Sequence, residues 1–164
     1  MPIDKVEHMT LETLPVVSEE QTQLNMLRQL AFHPNKYRLI IFHLPADLRM
    51  YALYSLIHKW ENEYDIQSIN IKEFSETVIA AIHNGTWLSA LKYLEDPAIL
   101  LVDDLNLIIG KDTIQEIFYS SVLKPRLEKK RLTVLFSEKG YTEINFLMRD
   151  DLRNLLRLGF HVPD

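Results

Sequence analysis

The chain has 164 residues, with 18 Lys plus Arg against 23 Asp plus Glu and a net charge of −5. A chain of this length is expected to form one domain that folds without disulfides or metals. Zero cysteines exclude disulfides, thiol catalysis, Cys-ligated zinc and iron–sulfur clusters, and the acidic balance argues against a whole-surface nucleic-acid binder while leaving a local basic patch open.

Residues 1–17 read as an extended arm. They carry no apolar core of a signal peptide, and no run of 18 apolar residues occurs anywhere, so no membrane contact and a cytoplasmic location are expected. Ser18 is the expected N-cap of a helix bearing Leu24, Met26, Leu27 and Leu30 and ending at His33-Pro34-Asn35. Residues 38–42 form a short apolar strand. After a turn at Leu44-Pro45-Ala46, Leu48, Tyr51, Ala52, Leu56 and Trp60 recur on one helical face. A second strand spans 66–71. A helix follows over 72–83, stopped by Asn84-Gly85. Thr86 is the expected cap of a helix running to Leu94. Strand 98–103 ends in Asp103-Asp104, and a long helix over 113–130 turns Ile117, Phe118 and Val122 inward, with Pro125 near its end. Strand 132–137, a helix over 145–158 and a short strand at 160–162 complete the chain.

Strands alternate with helices, and the central strands are apolar throughout. Both features predict an α/β three-layer sandwich with a five-stranded parallel sheet covered on both faces. Ligands in such folds sit at the C-terminal strand edge, which singles out the positions after Phe42, at Asp103-Asp104 and after Phe136.

The stretch Leu100-Leu101-Val102-Asp103-Asp104-Leu105, continued by Ile109-Gly110-Lys111 and Gln115-Glu116-Ile117-Phe118, resembles the Walker B region of the DnaA/Hda-like AAA+ ATPases. The DnaC/DnaI helicase-loader branch is a close second, through Val122-Leu123-Lys124-Pro125-Arg126-Leu127. The resemblance implies a P-loop NTPase-like core over 1–164, strand order 5-1-4-3-2, and a chain ending at Asp164, where the family's lid subdomain would begin. It places Ser137 at the sensor I position. The arginine-finger position falls on Leu155, between Arg153 and Arg157.

The same register brings 43–50 onto the family's phosphate-binding loop. Such a loop needs glycines, so that backbone N–H groups can wrap the phosphates, followed by Lys and Ser or Thr. Here His43, Leu44, Ala46 and Leu48 stand at the glycine positions, Arg49 at the lysine and Met50 at the threonine. Met cannot ligate Mg²⁺, and Pro45 removes a donor. The expectation is a vestigial site with no catalytic residue, no cofactor and no metal, partly filled by Leu44, Leu48 and Met50. Asp103 and Asp104 would then be a solvated or capped strand end. His43 and Arg49 would be either a solvated surface or a grip for a different anion.

The run Lys124, Arg126, Lys129, Lys130, Arg131 is either a nucleic-acid or partner patch or a helix end complementing its own dipole. The functional expectation is an ATPase-inactive protein-interaction module in replication initiation, its regulation or helicase loading. Its partner would be an initiator, helicase or clamp component, with DNA contact secondary. The alternatives are an ATPase with a remodelled P-loop and a nucleic-acid-binding accessory protein.

Overall fold

The structure, a computed structural model, describes residues 9–12 and 21–161. The expected Ser18 cap, most of the expected arm and Val162 lie outside these residues.

Four full strands, β1 (Leu39–His43), β2 (Ile66–Asn70), β3 (Ile99–Asp103) and β4 (Leu132–Ser137), pair in parallel in the order β2-β3-β4-β1. Beyond β1, the expected fifth strand is described over Phe160–His161 (β5), which pairs in parallel with β1 through Ile40–Phe160 and Ile41–His161. Gly159 is required at this entry, because a Cβ there would come within 2.8 Å of Leu39 Cγ.

The strands are apolar on both faces because both faces are covered. One face carries Ile40, Phe42, Leu101, Val134 and Phe136 against α1 (Gln21–Phe32) and α2 (Ala46–Trp60). Leu11 packs into the same cluster, Phe42 stacks on Phe136 at 5.4 Å, and buried Trp60 donates its Nε1–H to Ala31 O at 2.9 Å. The other face carries Leu39, Ile41, Leu100, Val102 and Leu135 against α3 (Ile71–Asn84) and later helices.

Strand β2 stops one residue earlier than expected because Asn70 caps α3. Its Oδ1 accepts from Glu73 N at 2.8 Å, and its Nδ2 donates to Glu73 Oε1 at 2.7 Å. This is a reciprocal cap at N-x-x-E spacing. Gly85 ends α3 at φ +67, in the left-handed region natural to glycine. The expected helix over 86–94 is instead two single turns, α4 (Trp87–Ala90) and α5 (Lys92–Glu95), and the Thr86 side chain caps neither.

The long helix keeps its course but changes its hydrogen bonding. It runs as α6 (Asp112–Ile117), a π-helical stretch over Phe118–Leu123, and α7 (Lys124–Glu128). Pro125 lacks the N–H that an α-turn would use, and the wider π-turn lets Phe118, Val122 and Leu123 all face the core. The expected helix over 145–158 is preceded by a further single turn, α8 (Tyr141–Ile144), and is itself broken into a 3₁₀ turn Asn145–Leu147 and α9 (Asp150–Leu156). Met148 turns extended and buried between them, and Arg149 N donates to Gln115 Oε1 at 2.8 Å. Gln115 is itself buried and donates to Ile108 O at 3.0 Å, so it ties three segments together.

At the N-terminal end of the strands, Arg126 is fully buried. Its guanidinium donates to Thr133 Oγ1 (2.8 Å), to Leu94, Glu95 and Pro97 O (3.1, 3.0 and 2.7 Å), and to Ala98 and Leu132 O (3.4 and 2.7 Å). Burial, with Arg131 nearby, pushes its pKa down to about 10, so it remains charged at neutral pH. One planar fork thus satisfies carbonyls from the β3 approach, α5 and β4.

Removing it strands those carbonyls. We expect Arg126→Ala to cost about 3–5 kcal/mol, the range for breaking a buried charged network. Urea unfolding followed by circular dichroism would show it as a lowered midpoint, and Arg126→Lys would recover only part of the loss.

Candidate functional site

The site lies at the opposite end of the sheet, where β1 turns into α2. Only Leu44 and Pro45 separate strand from helix. His43 N donates to Gln23 Oε1 at 3.0 Å, Leu44 N donates to Ser137 O at 3.0 Å, and Pro45 has no N–H. Three consecutive backbone positions therefore offer nothing to an anion. Leu44 is fully buried and Leu48 nearly so, both within the core cluster against Phe42 and Phe136.

Arg49, one turn into α2, points across the strand ends toward β3. Its Nε donates to Asp103 Oδ1 at 2.9 Å, its Nη2 to Asp104 Oδ1 at 2.9 Å and its Nη1 to Leu44 O at 3.0 Å. The Arg49 side chain is 6% exposed, against 23% for Asp103 and 31% for Asp104. Asp104 reaches its position at φ 58, ψ 40, a left-handed conformation that Asp tolerates. Burial, reinforced by Asp103, pushes the Asp104 carboxyl above its ordinary pKa, and Arg49 opposes that rise.

Arg49 is thus not a solvated surface residue, and of the two expectations for Asp103-Asp104, solvated or capped, the structure shows the capped strand end. Arg49 and His43 are not turned to a shared anion either. The His43 ring lies against Gly140, where a Cβ would stand 3.5 Å from it, while Arg49 faces the two acids. The Ser137 hydroxyl is buried and accepts from Lys139 N at 3.1 Å. Leu155 packs partly buried against the core, and neighbouring Arg153 pairs with Asp150.

Beside Arg49, an open groove of about 430 Å³ runs between α2 and β2, lined by Met50, Leu53, Tyr54, Asn70 and Glu73 among others. The expected filling is therefore uneven. Leu44 and Leu48 are sealed into the core, whereas half-buried Met50 borders open space.

A magnesium–triphosphate does not suit these residues. The guanidinium stands between the two carboxylates that would face the metal, a thioether replaces the hydroxyl ligand, and the wrapping donors are engaged or missing. Among the described residues, no group of three or more His, Asp or Glu is placed to hold a metal ion. No helix among them is long and apolar enough to cross a membrane.

The basic run also needs correction. Arg126 is interior, Lys129 pairs with Glu95 at 2.7 Å, and Arg131 donates to Glu95 O at 2.8 Å. Lys124 and Lys130 are exposed. Lys130 and Arg131 instead border a cavity of about 400 Å³ that Arg38, Asp65 and Asp96 also line. The five cations therefore do not form one patch.

A family model described as the bacterial DnaA ATPase domain matches residues 10–163. Among solved structures, domain III of the Thermotoga maritima replication initiation protein DnaA superposes with a TM-score of 0.79 at 18% identity, covering 93% of this chain and 65% of that one. AMPPCP-bound DnaA from Aquifex aeolicus gives 0.81 at 16% identity, covering 94% and 49%. DnaI gives 0.72 at 12% identity, covering 99% and 93%. The chain thus spans about half the length of the Aquifex initiator. No curated protein matches by sequence.

Two outcomes test the site. Arg49→Ala leaves two neighbouring carboxylates without their cation. It should cost about 2–3 kcal/mol in denaturant unfolding, less than for a fully buried pair because the acids are partly exposed. Second, carboxyl-carbon NMR titration should find Asp104 above its ordinary pKa, higher again in Arg49→Met and lower in Asp103→Asn. Because folding raises this pKa, the unfolded chain releases the proton first as pH climbs. The carboxyl's contribution to stability is therefore greatest below its ordinary pKa and declines as pH rises through the window up to the folded value.

Proposed function

Because the chain belongs to the bacterial DnaA ATPase-domain family, we propose that it is an ATPase-inactive member acting as a protein-interaction module in replication initiation or helicase loading. The observation that supports the inactive reading most directly is the Arg49 guanidinium held by Asp103, Asp104 and Leu44 O. A protein cation fixed at 2.9 Å from both acids does the electrostatic work that a metal ion would do, and it is bound to the chain. The replication context rests on the family and on the likeness to initiator and DnaI folds. The partner would be an initiator, helicase or clamp component.

Two measurements test the parts separately. Isothermal titration with Mg-ATP and with ADP should give no heat of binding, and phosphate release should stay at the buffer rate. Saturable nucleotide binding lost on Arg49→Ala would instead favour a remodelled ATPase. For the module, surface plasmon resonance against the purified initiator and replicative helicase of the same organism should show saturable binding to one of them, unchanged by ATP. Binding to neither would remove the interaction reading.

A further inference from the structure

The groove beside Arg49 has a neighbour along the same edge of the sheet. A second hollow, bordered by Ile57, Glu61, Tyr64, Asp65 and Ile66, shares Ser68 with the first. Together they follow α2 on one side and β2 on the other. Met50, Leu53, Tyr54 and Ile57, at helical i, i+3, i+4 and i+7 spacing, are all half-buried along this seam.

Among the described residues, β2 is the outer strand, with β3 as its sheet neighbour. Asp65 O accepts from Ile99 N at 3.1 Å. The alternation of a parallel ladder then turns the N–H and C=O groups of Ile66, Ser68 and Asn70 outward. Consistent with this, Ser68 O accepts from the Gln67 side chain at 3.0 Å. Its sequence, Ile-Gln-Ser-Ile-Asn, contains no Lys and no Pro, the residues that commonly guard an edge. Among the described residues, the opposite edge strand covers two residues.

We propose that this edge is a docking site for an extended segment of a partner protein. The segment would add a strand to β2 and lay apolar side chains on the α2 stripe, with Lys or Arg at intervals. The charge of the seam selects that occupant. Glu73 lines one end and Glu61 and Asp65 the other, while Arg49 and Asp103 of the lining already neutralise each other. A second copy fits poorly, because its own β2 carries no cation and its lips would oppose acid to acid. Main-chain pairing supplies affinity in such additions, and alternate side chains supply specificity.

This assignment rests on the interaction reading above and names its surface. The probe is a fluorescent eight-residue peptide alternating Val or Ile with Lys, titrated against the full chain by anisotropy. We expect saturable binding, slowed amide exchange at Ser68, and at least tenfold weaker binding when Glu replaces Lys in the peptide. Leu53→Asp should weaken binding at least tenfold. Ser68→Pro, which removes an outward N–H without touching the β3 ladder, should do the same in protein whose circular dichroism is unchanged.

No binding up to millimolar peptide, equal affinity for the Glu peptide, or indifference to both variants would overturn the proposal. So would sedimentation showing dimers that Leu53→Asp dissociates. If the initiator or helicase still binds in any of those cases, the surface assignment fails alone. If neither binds, the module reading fails with it.

Discussion

A single guanidinium reorganises the C-terminal edge of this sheet. Two carboxylates at the end of a buried strand repel each other and resist desolvation. Arg49 resolves both problems with three N–H donors in one plane, reaching Asp103, Asp104 and the carbonyl of Leu44. A lysine would offer one mobile ammonium in place of that fork. The bond to Leu44 O also fixes the strand-to-helix turn, so the same side chain couples β1, α2 and β3.

The opposite end of the sheet follows a related logic with different partners. Arg126 gathers carbonyls where α5, the β3 approach and β4 converge, and Arg131 and Lys129 close over Glu95 beside it. The interior between the two ends is apolar on both sheet faces. The fold therefore has a greasy middle closed at each end by a charged fork.

Much of the scaffold could be read from apolar pattern alone. Residues 99–103 and 132–137 are too uniformly hydrophobic for a half-exposed strand, and both proved central. The break at Asn70 was visible as N-x-x-E, but apolar Ile71 masked it. The π-helical stretch carried no such mark, because its apolar spacing also suits an α-helix. Charged residues were harder. Arg126 stands in a run that reads as a solvated helix end, and only the tertiary fold shows it buried. The link from Arg49 to Asp103 spans 54 positions, so local sequence could not reveal it. What the sequence did carry was the absence of glycine from 43–48, with Leu44 and Leu48 there instead, and both are sealed into the core.

The two-residue turn at Leu44-Pro45 also limits what the positions around it can become. Glycine at 44 would open a hole in a packed core, and lysine at 49 would leave two acids sharing one ammonium. Glycine at 48 would place a poor helix former in the first turns of α2. Each single substitution toward a phosphate-wrapping loop is harmful by itself, and a benefit would come only with all of them together. The turn is therefore a local optimum: the core under Leu44 and Leu48 and the fork of Arg49 hold one another in place, and single substitutions move the edge away from both.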